Sequence, residues 1–97
     1  MRVSEVTTKH LAEYLRLDPE IAEAENDLLI SLRESAIAFI RSYTGLSDER
    51  IEPHADIAFA LRILVQDMYD NRTMYVDKNN LNKTVKTILD MHAINLL

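Results

Sequence analysis

Three histidines, His10, His54 and His92, five serines and sixteen carboxylates are the side chains through which this chain could do chemistry. A helical zinc site would place two histidines on one face as H-E-x-x-H, and that pattern is absent. Counted as helix, His54 and Asp56 are two positions apart and point to different sides. His92 falls on an apolar face, where a hydrogen-bonded structural role outweighs a ligand role. A Ser–His–Asp set meets only in space, and none of the serines sits in a strained nucleophile turn. Phosphate-cradling loops need at least two glycines, and Gly45 is the single one. No catalytic residue, metal site or cofactor is therefore expected.

Composition narrows the alternatives. At 97 residues the chain has room for one core and one domain, 1–97. Apolar residues make up 47% and charged residues 28%, the balance of a globular domain, and no run approaches the ~20 apolar residues of a membrane span. The opening MRVSEVTTKH lacks the apolar stretch of a signal peptide, and without cysteine there is no disulfide framework, which fits a cytosolic setting. The net charge is −5, unevenly spread: residues 1–60 carry 12 acidic against 6 basic side chains, and residues 61–97 carry 4 against 5. An acidic surface repels phosphate backbones, which argues against stable nucleic-acid binding.

The elements that must position any site are helical. An all-α bundle of about four helices is expected: one short N-terminal, two long central and one C-terminal. The first runs roughly from Thr8 to Arg16, capped by Thr7 or Thr8 and ended by Pro19. Asp18, Glu20, Glu23, Glu25 and Asp27 then form an acidic run, read as a solvated helix start or as a contact patch. The second helix extends from Ala22 or Ala24 to Tyr43 or Thr44, with Gly45 placed to stop it in a left-handed conformation. Leu28, Leu29, Leu32, Ala36, Phe39, Ile40 and Tyr43 form its core arc. The third helix is expected to open at Pro53 and to reach Arg72 or Thr73, with Ile57, Leu61, Leu64, Val65, Met68 and Tyr69 facing the core. The last begins near Asn80, with Leu81, Val85, Ile88, Leu89, His92 and Leu96 on one face.

Two features exceed the needs of such a bundle. Ile30 and Ile37 on the second helix, and Phe59 and Ile63 on the third, lie outside the core arcs, and surplus apolar surface marks an interface. With the outward Lys83 and Lys86, they are the candidate oligomer contacts. Arg72 falls on the apolar stripe at the last turn of the third helix. It is expected to lock that exit against the second or last helix by capping carbonyls, stacking on Tyr69 or Tyr75, or pairing with a carboxylate, the alternative being a direct inter-subunit contact.

The order of these signals resembles the head–tail connector (head-completion adaptor) family of tailed bacteriophages and prophages. The likeness rests on TTKHLAEYLRLD, an acidic stretch, a long helix ending in Tyr43-Thr44-Gly45, a helix ending in Tyr69-x-Asn71-Arg72, and a final leucine-rich helix. It spans nearly the whole chain. The resemblance implies a non-enzymatic virion protein at the head–tail interface, present in the bacterial cytoplasm during assembly. It further implies a homo-oligomeric ring, typically a dodecamer, that sits below the portal protein, extends the DNA channel and receives a tail-side stopper or tail-completion protein. DNA would pass through without specific binding, and no membrane is involved. The alternative is a small DNA-binding, helix-turn-helix-like phage regulator or packaging accessory protein. Its recognition helix would need outward basic and amide side chains, for which Asn82, Lys83 and Lys86 on the last helix are the best source.

Overall fold

Two apolar stripes set the architecture. The computed structural model describes residues 1–94 and contains six α-helices: α1 (Thr8–Tyr14), α2 (Pro19–Ala24), α3 (Asn26–Thr44), α4 (Asp48–Ile51), α5 (Ala55–Asp70) and α6 (Lys83–His92). Short 3-10 turns occupy Val3–Glu5 and Lys78–Asn80, and no strand occurs among the described residues. Four of the six helices have seven residues or more, so the all-α, roughly four-helix expectation holds.

α3 and α5 form the central pair. On α3, Leu29, Leu32, Ala36 and Ile40 recur at helical spacing and are buried. On α5, Ile57, Leu61, Leu64, Val65 and Met68 are buried with Ala58 and Ala60, whose small side chains admit close neighbours. Tyr69, at the end of α5, donates a hydrogen bond to Glu25, just before α3, so the two helices run antiparallel. α6 adds Val85, Ile88 and Leu89 to the same core, and α1 adds Leu11. Leu96, expected on the inner face of the last helix, lies outside the described residues.

Several boundaries differ from expectation, each for a local reason. Pro19 does not end the first helix but opens α2 at its first position, where a missing N–H costs nothing. The chain leaves helical angles at Glu25 (φ −103°, ψ 16°), which separates α2 from α3. Pro53 lies in the turn after α4, and α5 starts two residues later at Ala55. α4 itself is four residues capped by Ser47, whose hydroxyl accepts from Arg50 N–H. It is too short for periodicity to reveal, yet it buries Ile51.

The N-terminal turn was also invisible to periodicity. Val3 and Val6 are buried, and their carbonyls accept from the Arg33 guanidinium, Nε to Val6 at 2.6 Å and Nη2 to Val3 at 3.1 Å. Glu52 fastens the same segment by accepting from the Ser4 amide at 2.7 Å and from its hydroxyl. Thus Arg33, on α3, locks the N-terminal turn to the bundle.

Arg72 itself is exposed and lies beyond α5, not on its buried face. It has φ 55°, and the Thr73 and Arg72 amides donate back to the Met68 and Tyr69 carbonyls at 3.0 and 3.3 Å. That is a Schellman ending with arginine where glycine is usual. α1 ends identically: Arg16 has φ 58°, with Leu17 N–H to Ala12 and Arg16 N–H to Glu13. Left-handed geometry costs an L-residue roughly 1–2 kcal/mol. Arg72 recovers part of this because its guanidinium carbon sits 5.2 Å from the Tyr69 ring centre, a contact worth about 0.5–1 kcal/mol when exposed. Among the described residues Arg16 has no such partner. Glycine also loses roughly 0.5–1 kcal/mol of chain entropy on ordering. Arg16→Gly should therefore raise the melting temperature by a few degrees, whereas Arg72→Gly should be close to neutral, as read by thermal unfolding.

Candidate functional site

The residues that carry the family resemblance prove to be the wiring of helix ends. Thr44 is buried; its hydroxyl donates to the Ile40 carbonyl at 2.7 Å and accepts from Leu46 N–H at 3.2 Å. Gly45 adopts φ 76°, ending α3 as expected, and a Cβ there would meet Ile94 at 3.7 Å. Ile94 N–H donates to the Thr44 carbonyl at 2.8 Å, so the segment after α6 folds back over this corner. Tyr43 donates to Asp90 on α6, and Lys86 binds the same carboxylate at 2.7 Å. Asn71 donates its side-chain amide to the Asp67 carbonyl at 2.8 Å, closing α5.

The candidate contact residues divide into two groups. Ile30 and Phe59 each keep 40% of their surface exposed. Ile37 and Ile63 are half-buried and pack against the core, so they serve the fold as well as the surface. Beside Phe59 lies a side chain that sequence reasoning passed over. The Arg62 guanidinium carbon sits 5.3 Å from the Phe59 ring centre and 5.6 Å from that of Tyr14 on α1. Arg62 Nε is buried with no hydrogen-bond partner among the described residues. Tyr14 is held in turn by a 3.2 Å hydrogen bond to Gln66. Arg62 is thus within cation–π range of both rings, one of them the exposed Phe59.

The basic residues of α6 are partly committed. Asn82 caps the helix by accepting from Thr84 and Val85 N–H at 2.8 and 3.2 Å, and Lys86 is bound to Asp90. Lys83 occupies the first turn, the end of the helix dipole that disfavours a cation, with no carboxylate partner among the described residues.

One convergence departs from the sequence reading. His54, Asp56 and His92 come together, with one donor atom from each lying within 4.8 Å of the others. The expectation that His54 and Asp56 diverge assumed helical geometry at both. His54 is instead the residue before α5, with extended backbone (φ −87°, ψ 110°), so the 100° step does not apply to it. His92 ends α6 and reaches Asp56 Oδ2 through Nε2 at 2.7 Å, while the His54 and His92 ring centres are 4.5 Å apart. Asp56 Oδ1 is fixed by Ile57 N–H at 2.9 Å. Burial opposes ionisation of Asp56, but the His92 contact and the Ile57 amide outweigh it and hold its pKa below the ordinary value. No sequence signal links positions 36 residues apart, so this cluster was not legible.

Asp90 shows how the Tyr43 wiring responds to acid. The Lys86 hydrogen bond first, and the Tyr43 hydroxyl second, hold its pKa below the usual aspartate range. A carboxylate depressed in the fold stabilises it fully above its unfolded value, near 3.9, and that stabilisation disappears as pH falls through the lower folded value. A carboxyl-carbon NMR titration should find Asp90 titrating below its ordinary value. Tyr43→Phe should shift it upward, and Lys86→Met should shift it further.

Compared with family models, curated proteins and solved structures, the chain matches none.

Proposed function

We propose that this chain is a ring-forming structural subunit of the head–tail connector type, joining a phage or prophage portal to its tail. One observation carries the reading: Ile30 and Phe59, on the two helices that build the core, each keep 40% of their surface exposed. The reading takes them as parts of an interface, where exposed apolar side chains of neighbouring copies join into a covered patch. Arg62, near the Phe59 ring, and Lys83, without a carboxylate partner among the described residues, add polar groups of the kind found at interface rims. The acidic run along α2 and the start of α3 offers Lys83 a complementary surface on a neighbouring copy, and head-to-tail contacts of this kind close into rings. An overall charge of −5 suits a channel along which DNA slides without adhering. The order and spacing of Tyr43-Thr44-Gly45 and Tyr69-x-Asn71-Arg72 give the proposal its family.

The helix-turn-helix alternative is less well supported, because Asn82 is occupied as a helix cap and Lys86 is paired with Asp90. Ile30→Glu and Phe59→Glu should leave the melting temperature within a few degrees of wild type, since exposed substitutions usually change stability by about 0.5 kcal/mol or less. Both should abolish closed rings in electron micrographs of the chain mixed with the portal protein of the same virion. Rings that persist in both variants would overturn the proposal.

A further inference from the structure

The cluster of His54, Asp56 and His92 has no part in ring contacts as proposed above, yet its chemistry is specific. Two imidazoles and a carboxylate form an N2O donor set, the kind taken by zinc and other late first-row divalent cations. The backbone brings the three together: His54 is the residue before α5, Asp56 lies in its first turn with Oδ1 bound by Ile57 N–H, and His92 ends α6 with Nε2 on Asp56 Oδ2. Their donor atoms lie within 4.8 Å of one another, whereas donors about 2.0–2.2 Å from a tetrahedral zinc lie roughly 3.3–3.5 Å apart. His92 Nε2 and Asp56 Oδ2, now hydrogen bonded at 2.7 Å, would open to that spacing as the ion takes the place of their shared proton. The side chains of His92 and Asp56 are 19% and 39% exposed, so a cation has an entry path and water can complete its coordination.

A simple strut between α5 and α6 would need only Asp56 and His92. His54 goes beyond that requirement. Its ring makes no hydrogen bond among the described residues, caps no helix, and yet lies half-buried against the His92 ring. We propose that His54, Asp56 and His92 form a binding site for Zn2+ or a similar late transition-metal dication. Such an ion would pin the start of α5 to the end of α6. Because ligands 36 residues apart come together only in the folded chain, binding would also stabilise the fold.

The experiment is calorimetric titration of the metal-stripped full chain with ZnCl2, alongside visible absorption on adding Co2+. One equivalent should bind, raise the melting temperature and, for Co2+, give the absorption bands of a low-coordinate site. His54→Ala removes a ligand without breaking the Asp56–His92 bond, so its metal-free melting temperature should match wild type. It should weaken zinc binding by roughly tenfold or more, since even outer-shell changes cost 10–100-fold. Asp56→Asn should weaken it comparably. Absence of saturable binding to the wild type, or equal affinity in His54→Ala and wild type, would overturn the proposal.

Discussion

The antiparallel packing of α3 against α5 is the constraint on which everything else rests. Each helix offers one apolar stripe, and the two stripes meet with Ala36, Ala58 and Ala60 among larger leucines and isoleucines. At about 1.5 Å per residue, helices of 19 and 16 residues run for roughly 28 and 24 Å of a molecule 47 Å in its longest extent. Two helices cannot close a core by themselves, so α1, α6 and the Val3–Glu5 turn cover the open edges of the seam. Arg33 explains how so short an N-terminal turn is held, because one guanidinium satisfies two of its carbonyls. Ile30 and Phe59 remain partly uncovered on the central pair, and the proposed ring would use them as its contact surface.

Much of this was legible from residue order, for a physical reason. Helical periodicity is imposed by burial, so the large aliphatic residues buried on α3, α5 and α6 fall on the stripes read from the sequence. Buried Thr44, Ala58 and Ala60 were not on them, and Leu28, Phe39, Tyr43 and Tyr69 are only partly buried. Gly45 marked its helix end because glycine enters the left-handed region without penalty. The endings at Arg16 and Arg72 were not legible, since arginine carries no such signal and the backbone hydrogen bonds alone reveal the motif. Arg72 was consequently placed on a buried stripe that the helix leaves before reaching it. The short α4 and the N-terminal turn lack the length over which a period can be recognised. The His54–Asp56–His92 cluster depends on a tertiary contact and on one non-helical residue, neither of which has a local signature.

These details bear on how the chain works. Of the motif residues, Thr44 and Asn71 close the ends of their own helices, Tyr43 bonds to Asp90 on α6, and Tyr69 bonds across to Glu25 before α3. They fix the corners of the bundle and so hold the outer faces in constant relation to one another. A subunit that repeats around a ring needs that constancy, because a small angular error accumulates at each step and prevents closure. In the proposed ring the motif would support assembly from a distance, while Ile30, Phe59 and Arg62 would supply the surface that touches.

The central claim is that sister copies cover this outward apolar surface. NMR of methyl-labelled isoleucine and ring-labelled phenylalanine, with a soluble paramagnetic probe, measures it directly in free subunits and in portal-bound assemblies. The account predicts that Ile30 and Phe59 signals are strongly broadened in the free subunit, with Ile57 unaffected, and that both become protected on assembly. Ile30 and Phe59 remaining equally accessible to the probe in the assembled state would contradict it.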